Sequence, residues 1–252
     1  MAVDVIQEPE NTSDAWHHAA QVHIDETKDI SHCRDVADKL APVISKQLEE
    51  VRSADVGPEL SRDVRGAIDK VKRTADEAWS QAARMRVNDD IAKAGRQRRV
   101  TETVTEARKQ VETLAEQADV QVTVARAQLE MQAIGKPSPQ REAFARQDAE
   151  ATMAGKTDIG TLHKLARDPD PDVRALIAGE WGRRRVEAAS PNKQAAAEAH
   201  KAIRDIAIDT ASKIGTDAQR RAAAGVRSLD GAAKAVVAAR EYGRTKLRGF
   251  RI

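Results

Sequence analysis

Apolar residues recur at seven-residue spacing along residues 58–134, and no proline follows Pro58 in this segment. Two sets of apolar positions, offset by four residues, make up the repeat. Such a repeat predicts a helix that packs against another helix. We therefore assign self-association to these positions. They are Val64, Ile68, Val71, Ala75, Ala78, Ala82, Met85, Val104, Ala107, Val111, Leu114 and Ala118.

The repeat changes phase by one residue near the middle of the segment, where Val87, Ile91 and Ala94 fall on a different helix face. Two arrangements fit this change. A continuous helix of roughly 115 Å would absorb the slip by local rewinding of the supercoil. Alternatively, the chain turns back near Gly95 and two arms pair antiparallel. Residues 89–99 contain good helix formers and one glycine, which favours the continuous helix.

The segments on either side read as shorter helices. Residues 1–11 form an acidic arm, and a first helix carries Trp16. A second helix contains Pro42, which predicts a kink or the first turn of a shorter helix. The Gly57-Pro58 pair ends this part of the chain. The first predicted domain is therefore an acidic pair of helices over residues 1–57.

The sequence Gly-Lys-Pro-Ser-Pro at residues 135–139 is the clearest boundary, because prolines two residues apart do not continue a helix. Helices are predicted beyond it, and no segment shows the alternation of a strand. Their ranges are about 140–154, 158–167, 171–187, 191–214 and 217–242. The prediction is an all-α fold with a long coiled-coil-like helix or helical hairpin over 58–134, followed by a helical bundle over 135–252.

The stretch from Leu162 to Ala178 resembles a HEAT-type helical hairpin. In that family an Asp-Pro turn ends the first helix and a Val-Arg pair opens the second. Here the turn is residues 168–171, Asp-Pro-Asp-Pro, and Val173-Arg174 follows it. Pro171 suits a first helical turn, and the aspartates favour a helix N-terminus. No second copy follows at a 40-residue period, so one hairpin over about 162–183 is predicted rather than a solenoid.

Charge is distributed unevenly along the chain. The net charge is +2, yet residues 1–57 carry −7 and residues 191–252 carry +7. This asymmetry indicates head-to-tail contacts or a polyanionic partner at the basic end. The candidate residues for docking onto an acidic protein or for binding nucleic acid are Arg240, Arg244, Lys246, Arg248 and Arg251.

Candidate chemistry for catalysis is sparse. His17, His18, His23 and His32 with Cys33 form the only histidine cluster, and none pairs cleanly at the i, i+4 spacing of a helical metal site. A single cysteine forms no internal disulfide. We expect no enzyme activity, no cofactor and no metal. The chain also lacks an 18-residue apolar run and a signal-peptide pattern, so we expect a cytoplasmic or virion location and no membrane partner.

The chain is rich in alanine and arginine, has six aromatic residues, and combines a long charged helix with a basic tail. In these features it resembles helical assembly proteins of tailed bacteriophages. The resemblance implies a scaffold-type or virion component, with residues 58–134 for self-association and residues 240–252 docking on a coat or other virion protein. The function predicted is therefore structural assembly through helix–helix association, with itself and a protein as partners. The alternative is a nucleic-acid-associated protein that uses the basic tail.

Overall fold

The structure is a computed structural model that describes residues 28–51, 53–88, 90–155 and 158–250. These residues form helices joined by short turns, and none of them lies in a strand. The all-α prediction is confirmed. The acidic arm and the predicted helix around Trp16 lie outside the described residues.

Eleven helical segments follow one another along the described chain. They are α1 (28–38), α2 (Ala41–Glu49), α3 (Ser53–Val56), α4 (Pro58–Arg86), α5 (Lys93–Ile134), α6 (Pro139–Met153), α7 (Ile159–Leu165), α8 (Pro171–Ala178), α9 (Glu180–Ala189), α10 (Lys193–Ile214) and α11 (Asp217–Arg248). Pro42 lies in the first turn of α2, and Pro58 begins α4, as predicted.

The long segment is two helices, so the expectation of one continuous helix is wrong. The chain leaves the helix after Arg86 and starts the next at Lys93. The side-chain oxygen of Asn88 accepts a hydrogen bond from the backbone N–H of Asp90 at 2.9 Å. The backbone carbonyl of Asn88 accepts a second hydrogen bond from the Arg96 guanidinium at 2.9 Å. Asparagine and aspartate form such local bonds in turns, which compete with a helix. The turn therefore forms at Asn88, although the residues that follow have high helix propensity.

The two helices run antiparallel, which is the hairpin alternative. Near the turn, the Thr103 hydroxyl of α5 donates to the Met85 sulfur of α4 at 3.8 Å. Far from the turn, Leu60 at the start of α4 lines one cavity together with Gln128 and Leu129 of α5. The start of α4 therefore lies beside the end of α5.

The described residues group into two compact units. The first unit contains residues 28–45, 67–88, 90–117 and 236–250. The second contains residues 46–51, 53–66, 118–155 and 158–235. Helices α2, α4, α5 and α11 contribute to both. Each unit thus combines segments far apart in sequence, whereas the predicted division at 57/58 and 134/135 is sequential.

Close helix packing in each unit depends on small residues. In the first unit, a side chain at Gly243 of α11 would place its Cβ 2.7 Å from a Val111 methyl group of α5. In the second unit, a Cβ at Gly225 would lie 2.8 Å from the Asp55 carbonyl oxygen. Together with the buried alanines, these glycines let helix axes approach closely in a protein that has few aromatic residues.

The predicted hairpin around residue 170 is present as α7 and α8. The Asp170 side chain caps α8 by accepting a hydrogen bond from the Asp172 N–H, and Pro171 occupies its first turn. The buried Arg174 side chain donates to the carbonyl oxygens of Asp168 and Pro169 at 2.6 and 2.8 Å, which holds the turn. The family resemblance of this hairpin stays a prediction.

Two helix ends differ from the prediction. The helix expected over 171–187 is divided at Gly179, whose extended backbone ends α8 and precedes α9. The last helix continues past residue 242 to Arg248. Gly135 and Pro139 do mark the end of α5 and the start of α6, as predicted.

Candidate interaction surfaces

The positions assigned to self-association pack inside the chain itself. Ten of them are buried: Val64, Ile68, Val71, Ala75, Ala78, Ala82, Val104, Ala107, Val111 and Ala118. Met85 and Leu114 are half-buried. The seven-residue repeat is therefore satisfied by helices of the same chain. This corrects the assignment, because side chains already buried in the fold offer no surface to a second copy.

A second apolar stripe lies on the outer face of α5. Val120, Val124 and Met131 are 61%, 51% and 67% exposed, and Ala127 is exposed between them. The core face of the same part of α5 is formed by Ala118, Val122, Ala125 and Leu129. Each residue of the outward set follows a residue of the core set by two positions. At 100° per residue, two positions place the outward face about 200° around the helix from the core face. This end of α5 is therefore apolar on two opposite faces.

The surroundings of this outward stripe (Val120, Val124, Ala127 and Met131) are polar but uncharged. Gln121, Thr123 and Gln128 are its exposed neighbours. The two charged residues between Val120 and Met131 are engaged elsewhere in the second unit. Arg126 pairs with Asp230 at 2.6 Å, and Glu130 pairs with Arg204 at 2.8 Å. In a chain with 33% charged residues, an uncharged apolar stripe is typical of a contact surface.

An apolar groove adjoins the outward stripe at Met131. Pro137, Leu176 and Trp181 line it together with Met131, and its volume is about 600 Å³. Ion pairs between Glu142 and Arg146 and between Glu180 and Arg184 lie at this groove. Neither the groove nor the outward stripe was predicted from the sequence. The stripe had a signal, which is the same four-three-four spacing repeated on a second face.

Part of the basic tail is paired with acidic residues of the first unit. Arg244 donates to both carboxylate oxygens of Glu112, at 2.6 and 2.9 Å, and Arg240 pairs with the same carboxylate at 3.0 Å. The hydrogen bond from Arg244 lowers the pKa of Glu112. Arg248 is exposed, and Arg251 lies outside the described residues. Arg240 and Arg244 therefore hold α11 to α5. The docking role of this set stays a prediction.

Lys246, the remaining predicted docking residue, is buried in a polar cluster. Its ammonium group donates to Asp76 at 2.5 Å and to the Tyr242 oxygen at 2.6 Å, and lies 3.2 Å from Asp38. The Tyr242 hydroxyl also bonds to Asp76. Burial opposes the charge on Lys246, but the bonds to Asp76 and Tyr242 outweigh it and raise the pKa. Burial, then Asp76, raise the pKa of Tyr242 to about 12. At neutral pH the lysine is therefore charged and the tyrosine protonated.

A cleft of about 980 Å³ lies beside α9 and α10 in the second unit. Arg126, Arg183, Lys193, Lys201 and Arg204 line it, with the acids Glu130, Glu187 and Asp205. Three of the cations are held in ion pairs with Glu130 or Glu187, whereas Lys193 and Lys201 are exposed. Burial and Arg204 lower the pKa of His200, which also lines the cleft. The cleft therefore carries a modest excess of positive charge.

No group of three or more potential metal ligands occurs in the described residues, while His17, His18 and His23 of the predicted cluster lie outside them. Cys33 is a half-buried free thiol. Within the described part of the chain, every helix is too short or too polar to cross a bilayer.

Comparisons with protein families, with curated proteins and with solved structures find no match.

Proposed function

We propose that this protein is a non-enzymatic assembly protein that associates through helix–helix contacts. The observation that carries the proposal is the outward stripe of α5. A surface helix of a stable monomer needs one apolar face, toward its own core. This helix has a second face with the same spacing, and this face is exposed among the residues that the structure describes.

The energetics favour a reversible association. Full burial of a valine or methionine side chain contributes about 1.5–3 kcal/mol, so covering the exposed half of each contributes on the order of 1 kcal/mol. Association costs on the order of 4–15 kcal/mol in lost freedom of motion. The stripe alone therefore supports weak binding, and the adjoining groove at Trp181 adds apolar area. An assembly protein that must later exchange partners suits this range.

The resemblance to phage assembly proteins gives this proposal a biological setting, a virion or a scaffold. It stands on composition and on the helical architecture. The proposal of helix–helix association does not require a virion, because the outward stripe is present in the fold itself.

Sedimentation velocity over a range of concentrations tests the proposal, with Val124→Glu as the disrupting variant. The wild type should sediment faster as concentration rises. Val124→Glu places a carboxylate in the contact, which desolvation makes costly, so association should weaken at least about tenfold. Val237→Glu is the matched control, because Val237 is a 63% exposed valine on a different helix, α11. Unchanged association of Val124→Glu, or equal loss in both variants, would contradict the proposal.

A second candidate function is binding of an anionic partner at the cleft beside α10. The supporting observation is that exposed Lys193 and Lys201 line this cleft. Of the tail residues first assigned to nucleic acid, Arg240, Arg244 and Lys246 are held in ion pairs. The test uses a labelled single-stranded oligonucleotide. Binding that falls steeply with salt and weakens in Lys193→Gln/Lys201→Gln, but not in Lys213→Gln/Lys234→Gln, supports this function. Binding equal in both double variants argues against it.

A further inference from the structure

We propose that two copies of this chain pair antiparallel through α5, about a two-fold axis that passes between residues 125 and 126. This inference rests on the proposed function and specifies its partner, a second copy. It also specifies the register. Both follow from the order of side chains along the outward stripe.

The stripe is symmetric about its own centre. Val120 and Met131 lie 5.5 residues from that centre on either side, and Val124 and Ala127 lie 1.5 residues from it. In an antiparallel pair, Val120 therefore faces Met131 of the other copy, and Val124 faces Ala127 of the other copy. A larger side chain meets a smaller one in every layer. Interdigitation of this kind fills the space between two helices.

A parallel pair in the same register fits less well. It would place Ala127 against Ala127 and Met131 against Met131, so that one layer is underfilled and the next overfilled. Both defects cost stability. The antiparallel arrangement distributes the same volumes evenly, and this favours it.

The flanking residues also suit a symmetric contact. In the antiparallel register, Gln121 lies next to Gln128 of the other copy, and both are exposed amides that donate and accept hydrogen bonds. On the other side, Thr123 lies next to Glu130 of the other copy. No like charges meet along the contact. A self-complementary surface without repulsion is what a two-fold interface requires.

The size of the contact sets its strength. From Val120 to Met131 the stripe spans about 17 Å of helix. Ile134 follows at the next position of the pattern but is buried in the fold, so the contact ends there. Three helical turns bury on the order of 1,000 Å² in total, at the lower limit for specific interfaces. The pairing is therefore a weak, rapidly exchanging dimer.

Disulfide trapping tests the register. The native chain has one cysteine, Cys33, so the experiment uses a Cys33→Ser background. Val120→Cys and Met131→Cys are made separately, mixed in equal amounts and oxidised. The mixture should form the Val120→Cys/Met131→Cys heterodimer in high yield. Each protein alone should cross-link several-fold less, because like positions lie about 17 Å apart along the axis and disulfides need Cα atoms within about 7 Å. Val120→Cys mixed with Val237→Cys is the matched control.

The outcomes separate this inference from the proposed function. Efficient self-cross-linking of Val120→Cys overturns the antiparallel register. Wild-type association that depends on Val124, combined with no trapped heterodimer, shows that the stripe binds in another way and overturns the inference alone. A wild type that stays monomeric at every concentration overturns both. Circular dichroism of each variant confirms that the helices are intact before cross-linking is scored.

Discussion

At the scale of single residues, charge pairing decides which of the basic side chains are available to a partner. Lys246 is buried against Asp76 and Tyr242, and Arg244 holds Glu112 with two hydrogen bonds. Removing such a residue would disturb the packing of α11, so a loss of binding in a tail variant would be ambiguous. Lys193 and Lys201, which are exposed at the cleft, are better probes of an anionic partner.

The Tyr242 hydroxyl offers a direct measurement, because this is the only tyrosine in the chain. Burial and the neighbouring Asp76 raise its pKa to about 12, against about 10 for an unfolded chain. The folded state therefore holds its proton where the unfolded state has lost it. The free energy of unfolding should fall as pH rises from about 10 to about 12. Ultraviolet absorbance of tyrosinate during a pH titration follows the ionisation.

The control for this titration is the same protein unfolded in urea, whose tyrosine should ionise near pH 10. Tyr242→Phe should also have a shallower loss of stability between about pH 10 and 12. Half-ionisation near pH 10 in protein that retains its helical circular dichroism would contradict the buried cluster.

The burial of single residues was only partly predictable from sequence. Val71 and Val104 are apolar at regular spacing, so their burial follows from the pattern. The pattern does not state whether the facing helix belongs to the same chain. Lys246 shows the same limit for charge, because its partners Asp38 and Asp76 are distant in sequence and only the fold brings them together.

At the scale of helices, the ends marked by glycine and proline were predictable, and those set by local side-chain bonds were not. Gly57 and Gly135 have positive φ angles of 88° and 82°, which other residues adopt at a cost, and they bound α4 and α5. The break after Arg86 depends instead on Asn88, whose turn-forming bonds compete with good helix formers.

A pair of glycine substitutions tests these local arguments. A Cβ at Gly182 of α9 would lie 1.8 Å from the Ile177 carbonyl oxygen, so Gly182→Ala must displace backbone. We expect it to lower the free energy of unfolding by about 3 kcal/mol or more. Gly66 lies exposed in α4 with open space around it, so Gly66→Ala should raise stability by about 0.5–1 kcal/mol. Urea denaturation measures both.

Each of these substitutions serves as the other's control, since the chemical change is identical. Equal effects of the two would show that helix propensity alone governs them. The close approach of α8 and α9 would then be wrong.

At the scale of the whole molecule, an uncharged stripe predicts how association responds to salt. The four residues of the outward stripe and their neighbours Gln121, Thr123 and Gln128 carry no charge. Ionic screening therefore has little to act on. The dissociation constant for self-association should change less than about threefold between about 0.1 and 0.5 M sodium chloride. Sedimentation velocity at several salt concentrations measures this.

Anion binding at the cleft should instead weaken steeply as the salt concentration rises, because its affinity comes from displaced counterions. The oligonucleotide experiment under the same salt series is therefore the internal comparison. Self-association that weakens as steeply as oligonucleotide binding would place the contact on charged residues and away from α5.

The two faces of α5 have one more consequence, which concerns changes in length. The outward stripe and the core face share a single helix, and their relative angle is fixed by backbone geometry at about 100° per residue. One inserted residue before Ala118 would rotate both faces together by that angle relative to the preceding part of α5. Val120 would then no longer point in its present direction. An insertion of seven residues would nearly restore the orientation and shift the stripe along the axis by about 10 Å. Related chains that keep this architecture should therefore differ in α5 by whole heptads.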